Sequence, residues 1–66
     1  EIWYTVEMIK SAMQHLPTGY RTVLSLHLFE GYDQEEICEI LNISYANCRT
    51  TLSRAKESLR KKLEDI

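Results

Sequence analysis

The sequence predicts an all-α fold, a domain of four helices that ends in a helix-turn-helix. Apolar residues recur at spacings of three and four, and the strict alternation that is typical of strands is absent. The chain has 66 residues with only two glycines and one proline, which indicates one small domain with few interruptions. Helix-end signals between the apolar stripes place the four helices at about residues 3–15, 18–30, 33–41 and 45–63.

The first predicted helix carries one apolar stripe that Trp3 and Tyr4 widen at its N-terminal end. Its members follow one another at steps of four and three, which is helical spacing: Ile2, Val6, Ile9, Met13 and Leu16. Because a domain this small needs most of its large side chains inside, we expect this stripe to lie in the core.

The second predicted helix begins after a Leu-Pro pair. Pro17 disfavours a helical conformation at Leu16 and suits the first turn of the helix that follows. The apolar residues of this helix cover more than one face, which is typical of a central helix; they are Tyr20, Val23, Leu24, Leu26, Leu28 and Phe29. Gly31 is a helix-stop signal.

The third predicted helix begins with a capping box. Asp33 and Glu36 have the spacing at which each side chain accepts a hydrogen bond from the backbone of the other. The apolar stripe of this helix should be buried, and it consists of Ile37, Ile40 and Leu41. Asn42 stands where the chain must reverse, and asparagine tolerates the left-handed conformation better than most residues.

The fourth predicted helix begins after Ser44, a favourable N-cap residue. Its apolar stripe consists of Cys48, Leu52, Ala55, Leu59 and Leu63. Residues 1–44 carry two basic and seven acidic side chains (−5), residues 45–62 carry six and one (+5), and residues 63–66 add −2, which gives the net charge of −2. A basic helix on an acidic body is the charge distribution expected of a DNA-binding helix.

The turn between the third and fourth helices is short enough to predict a helix-turn-helix, with Cys38 as the small residue where the two backbones approach. The N-terminal residues of a recognition helix point at base edges. We expect DNA contacts from Ser44, Tyr45, Asn47, Arg49, Thr50, Ser53, Arg54 and Lys56. Arg49 is a candidate either for a bidentate contact with a guanine edge or for a phosphate contact, whereas Arg54 and Lys56 are expected on phosphates.

The run from Leu16 to Leu63, about three quarters of the chain, resembles region 4 of extracytoplasmic-function sigma factors, the promoter-specificity subunits of bacterial RNA polymerase. Three groups of residues carry the resemblance. They are Leu16, Pro17, Arg21, Glu30 and Gly31 before the helix-turn-helix; Glu36, Ile37, Cys38, Leu41, Ile43 and Ser44 within it; and Arg54, Ala55, Lys56, Glu57 and Leu59 after it.

The resemblance implies a region 4 fold, winged-helix-like but without a wing. It also implies binding of the promoter −35 element as double-stranded DNA, docking on the β flap of the RNA polymerase core and capture by an anti-sigma factor. By position it places base and near-base contacts on Arg49, Thr50 and Ser53, with Arg54 alongside. The family usually has Thr-Val where this sequence has Asn47 and Cys48, so the resemblance does not predict the −35 sequence.

Two other functions fit parts of the sequence. The four-helix output domain of response regulators shares the third helix and the turn, but the Leu-Pro pair and residues 54–57 favour the sigma factor. A protein-interaction module would use the basic helix to bind an acidic partner, and the net charge of −2 is compatible with that function.

No enzyme, cofactor or metal site is expected. Cys38, Cys48, His15 and His27 lack zinc-ligand spacing, and no Ser-His-Asp set or carboxylate pair stands out. No apolar run is long enough for a membrane span, and two cysteines without evident partners are typical of a cytoplasmic protein. The chain lacks an initiator Met and a helix begins almost at once, so we expect residues 1–66 to be one domain of a longer protein.

Overall fold

The structure is a computed structural model that describes residues 3–65. Its helices are α1 (Val6–Met13), α2 (Thr18–Leu24), α3 (Gln34–Leu41) and α4 (Tyr45–Glu64), and a π-helical turn at Ser25–Phe29 continues α2. No β-strand occurs between residues 3 and 65. The predicted all-α, four-helix fold is therefore confirmed.

Helix α1 is shorter than its apolar stripe predicts. The Thr5 hydroxyl oxygen accepts a hydrogen bond from the Met8 backbone N–H at 3.1 Å and caps the helix, so that α1 begins at Val6 and not at residue 3. Trp3 therefore lies outside the helix and is 80% exposed, and Val6 is 51% exposed. The prediction that these two side chains join the core is wrong, and Ile2 lies outside the described residues. Met13, at the other end of the stripe, is buried as predicted.

The C-terminal end of the second helix widens into a π-helical turn. The Glu30 backbone N–H donates to the Ser25 carbonyl oxygen at 3.1 Å, five residues back, and the chain then leaves the helix at Gly31 with a φ of 77°. Since a π-turn changes the angular spacing of side chains, Leu28 and Phe29 are turned to the surface. Their predicted place on a buried central helix is wrong.

The core is assembled around α4, which contacts α1, α2 and α3. The buried side chains of the core are Ala12, Met13, Leu16, Val23, Leu24, Ile37, Cys48, Leu52, Ala55, Leu59 and Leu63. The most deeply buried large side chains are Leu24 of α2 and Ile37 of α3, both fully inaccessible. Thus α2 supplies part of the centre, but α4 is the helix against which each of the others packs.

The crossing of α3 and α4 follows the sequence closely. Asp33 and Glu36 form the predicted capping box, with N–H to carboxylate distances of 2.9 and 3.0 Å. Asn42 ends α3 in the left-handed conformation with a φ of 55°. Ile37 is buried, but Ile40 is 51% exposed, contrary to the prediction. α3 packs against α4 along the side that carries Ile37 and Leu41, and Ile40 lies beyond the edge of that side.

We expect the Asp33→Ala substitution to lower the free energy of unfolding by about 1 kcal/mol, because it leaves the Glu36 backbone N–H at the start of α3 without its acceptor. The measurement is urea denaturation followed by circular dichroism. The matched control is Glu35→Ala, which removes an acidic side chain from the same turn of α3 and no cap hydrogen bond. Equal losses in the two variants would show that charge at the helix end matters and the cap does not.

Candidate nucleic-acid interface

Helix α4 begins where the sequence places it, and its N-terminus is fixed by a cap. The Ser44 hydroxyl oxygen accepts a hydrogen bond from the Asn47 backbone N–H at 3.1 Å. The Ser44 carbonyl oxygen accepts from the Cys48 backbone N–H at 2.9 Å, which is the first bond of the helix. Ser44 thus starts α4 with both oxygens, and its hydroxyl hydrogen is still free to be donated to a DNA phosphate.

The buried side of α4 determines which side faces outward. The predicted stripe is buried along its entire length, at Cys48, Leu52, Ala55, Leu59 and Leu63. Cys48 and Ala55 are fully inaccessible, so neither rotation nor a shift of register is open to the helix. The remaining residues of its N-terminal half face solvent, except Thr51, which is half-buried.

A shallow, open depression lies on this outward side. Six exposed residues line it: Tyr45, Ala46, Arg49, Thr50, Ser53 and Arg54. The structure thus brings together five of the residues that the sequence predicts as DNA contacts. Ser44, Asn47 and Lys56 lie outside the lining of the depression, although all three are exposed.

Asn47 lies on the flank of this face, and its side chain is held in place. The Thr51 hydroxyl donates to the Asn47 Oδ1 atom at 3.1 Å, one helical turn further along α4. The Asn47 backbone N–H is bonded to Ser44, so the backbone and the side chain of Asn47 each have one hydrogen-bond partner. Thr51 is not among the DNA contacts predicted from the sequence, although its spacing of four residues from Asn47 on a helix is a signal for such a pair.

The positive charge of α4 is divided into two parts. Arg60, in the C-terminal half, forms ion pairs with Glu57 and Glu64, and these are the ion pairs found within residues 3–65. The hydrogen bond from Arg60 lowers the pKa of Glu57, and the same bond raises the pKa of Arg60. The guanidinium groups of Arg49 and Arg54, in the N-terminal half, remain available for an external anion.

The cysteines and histidines do not form a metal centre. The Cys48 thiol is buried and lies 3.6 Å from the Gln34 carbonyl oxygen, and burial raises its pKa, with a smaller contribution from Cys38. His27 is half-buried, and its Nδ1 atom lies 3.0 Å from the Tyr32 carbonyl oxygen. Within residues 3–65, no three His, Cys, Asp or Glu residues are placed to hold a metal ion.

No helix in the part of the chain that the structure describes is long and apolar enough to cross a membrane.

These features define a helix-turn-helix domain: two helices cross at a left-handed asparagine turn, and the second presents basic and hydroxyl-bearing residues outward. A family model described as sigma-70, region 4 matches residues 6–59. The chain belongs to this family, whose members are DNA-binding domains and not enzymes. Of the two families that share the third helix and the turn, the chain therefore belongs to sigma-70 region 4 and not to the response-regulator output domains.

Comparison with curated proteins agrees with the family. The chain is 38% identical over 56 residues to RNA polymerase sigma factor SigZ of Bacillus subtilis. It is 40% identical over 58 residues to ECF RNA polymerase sigma factor SigW of the same organism, and 31% identical over 58 residues to RNA polymerase sigma-H factor of Pseudomonas aeruginosa. These matches cover 85%, 88% and 88% of the chain but only 32%, 31% and 30% of the relatives.

Proposed function

We propose that this chain is the promoter-binding domain of a sigma factor and that it binds the −35 element as double-stranded DNA. The observation that carries the proposal is the outward face of α4, where one depression collects five of the predicted contact residues. A recognition helix uses its N-terminal half to reach base edges in the major groove. Both the fold and the orientation of α4 are therefore suited to this task.

We expect some of the exposed side chains on α4 to contact bases and others to contact the DNA backbone. In this proposal Arg49 donates to a guanine edge or to a phosphate, and Thr50 and Ser53 offer hydroxyl groups to bases or phosphates. Arg54 and Lys56 bind phosphates of the DNA backbone. Tyr45, which is 53% exposed, packs along the sugar-phosphate edge.

The proposed protein partners are the RNA polymerase core, through its β flap, and an anti-sigma factor. Support for a protein contact comes from the neighbouring apolar side chains Leu28 and Phe29 on the π-helical turn, which are 45% and 39% exposed, and from Ile40 on α3, which is 51% exposed. A protein that binds chromosomal promoters would work in the cytoplasm, which agrees with the expectation from the sequence.

The test of DNA binding is the salt dependence of affinity for a labelled duplex, measured by fluorescence anisotropy. If about four to six phosphates are contacted, the logarithm of the binding constant should fall against the logarithm of salt concentration with a slope of about −4 to −5. A slope near zero would contradict the proposal. Binding to an acidic protein but to no duplex would instead favour the interaction module.

We expect Arg49→Ala to relax discrimination at one base pair by about 1–3 kcal/mol, because it removes a guanidinium that can bond to a base edge. The measurement compares the affinity of each variant for a selected duplex and for a scrambled one. The matched control is Lys62→Ala, which removes the same charge from the C-terminal end of α4, outside the depression. If Arg49→Ala weakens both duplexes equally, Arg49 is a phosphate contact.

A further inference from the structure

The Asn47 amide is an exposed polar group on the first turn of α4 whose orientation is set by the protein. Its Oδ1 atom accepts a hydrogen bond from the Thr51 hydroxyl at 3.1 Å. Its backbone N–H is held by the Ser44 cap, also at 3.1 Å. An asparagine side chain on a helix surface normally samples several rotamers, and the bond to Thr51 reduces that freedom before any ligand arrives.

The bond to Thr51 decides which half of the amide faces outward. Because Oδ1 lies toward Thr51, the Nδ2 group occupies the opposite arm of the planar amide and presents its N–H donors. An asparagine amide with no other partner recognises adenine, because its Oδ1 atom accepts from adenine N6 while its Nδ2 group donates to adenine N7. Oδ1 keeps a second lone pair, but the bond to Thr51 turns this oxygen toward the helix, so the two-way contact with adenine is disfavoured and donation from Nδ2 is favoured.

We propose that Asn47 is a specificity-determining residue that donates from Nδ2 to an acceptor on a base edge, and that Thr51 is the positioning residue that selects this mode. The inference rests on the proposed function, that is, on α4 entering the major groove. Guanine offers two acceptors, O6 and N7, to the two N–H donors of Nδ2, whereas adenine and thymine offer one each, N7 and O4, and cytosine offers none. Asn47 therefore favours guanine over adenine and disfavours cytosine at the position it contacts.

The charge distribution supports a base rather than a phosphate as the ligand of Asn47. Arg49 and Arg54 flank the depression and supply cations for phosphates, and neither forms an ion pair among the described residues. Asn47 is neutral, lies within the first turn of α4 and is exposed. The first turn of a recognition helix is the part that reaches furthest into the groove.

The experiment is selection of bound duplexes from a random DNA pool by the 66-residue chain and by three variants. T51V keeps the β-branched shape but removes the hydroxyl, and T51S keeps the hydroxyl. N47D replaces the donor group with a carboxylate oxygen, which accepts from bases. A thermal melt checks that each variant is folded, and the readout is the base distribution at each position of the selected motif.

We expect wild type to prefer guanine over adenine at one position by about three- to tenfold, the effect of one hydrogen bond. T51V should reduce this preference to less than about twofold at the same position, because the freed amide can then bind adenine. T51S should behave as wild type. N47D should favour a base that presents an amino group, cytosine or adenine, at that position.

Four results would overturn the inference. A motif unchanged in N47D would show that Asn47 reads no base. A motif changed by N47D but not by T51V would remove Thr51 from the positioning role. A T51S motif that matches that of T51V would exclude the hydroxyl as the cause. If wild type selects no motif at all, the proposed function itself fails, which is distinguishable from the other three results.

Discussion

Replacing Ile37 with aspartate is expected to abolish the cooperative thermal transition of the domain. The Ile37 side chain is fully inaccessible where α3 packs against α4, so the new carboxylate would lose its water without gaining a partner. This costs about 4 kcal/mol or more. A domain of 66 residues has a total free energy of unfolding of about 3–10 kcal/mol, so the variant should be largely unfolded at 25 °C.

The measurement is circular dichroism at 222 nm during heating. Ile40→Asp is a close control, because it introduces the same residue into the same helix at a position that is 51% exposed. We expect this control to melt cooperatively, with a loss of about 1 kcal/mol or less. If Ile37→Asp melts like the control, then α3 and α4 are not packed through Ile37.

Leu24→Ala is expected to lower the free energy of unfolding by about 2–5 kcal/mol. Leu24 is fully inaccessible at the end of α2, in the core that α4 shares, and its truncation leaves a cavity as well as removing apolar contacts. Urea denaturation gives the free energy of unfolding from the midpoint and slope. The size of the loss within this range depends on how far the neighbouring side chains can close the cavity.

Leu28→Ala is the control for this prediction, since Leu28 lies only four residues later and is 45% exposed on the π-helical turn. We expect it to lose less than about 1 kcal/mol, because part of the side chain is in water in the folded state. A loss at Leu28 as large as the loss at Leu24 would mean that the π-helical turn packs inward in solution.

The sequence predicted the helix-turn-helix well because local chemistry determines most of it. The Asp33–Glu36 capping box, the left-handed conformation of Asn42 and the Ser44 cap each depend on residues within four positions of one another. The buried stripe of α4 runs unbroken from Cys48 to Leu63, about four turns of helix, so its periodicity is unambiguous. Because the caps set where α4 begins and the stripe sets which side is buried, the outward face of α4 can be predicted from the sequence.

The errors arose where tertiary packing or a competing local bond decided the outcome. The apolar spacing of residues 2–16 did not reveal that Thr5 caps the helix and leaves Trp3 outside it. Periodicity also assumes a constant number of residues per turn, and the π-helical turn violates this at Leu28 and Phe29. Ile40 fits an amphipathic pattern, but the contact with α4 is too narrow to cover it.

The candidate site was predicted as a set of residues but not as an arrangement. Sequence spacing placed Arg49 and Arg54 on one side, and the structure brings both to the same depression. Spacing alone did not indicate that Thr51 holds Asn47 or that Arg60 is engaged by Glu57 and Glu64. Each of these bonds depends on a choice of rotamer, which the pattern of residue types leaves open.

The π-helical turn at Ser25–Phe29 has a consequence for how chain length can vary in this family. A π-helical turn contains one residue more than an α-helix between the same two points. The π-helical turn therefore holds the extra residue, and the flanking α2 and α3 keep their places. A homologue that lacks one residue here can run a plain α-helix up to the glycine that corresponds to Gly31. An insertion or deletion of a single residue at this point is thus compatible with an unchanged helix-turn-helix, whereas the same change between Asn42 and Ser44 would shift the start of α4.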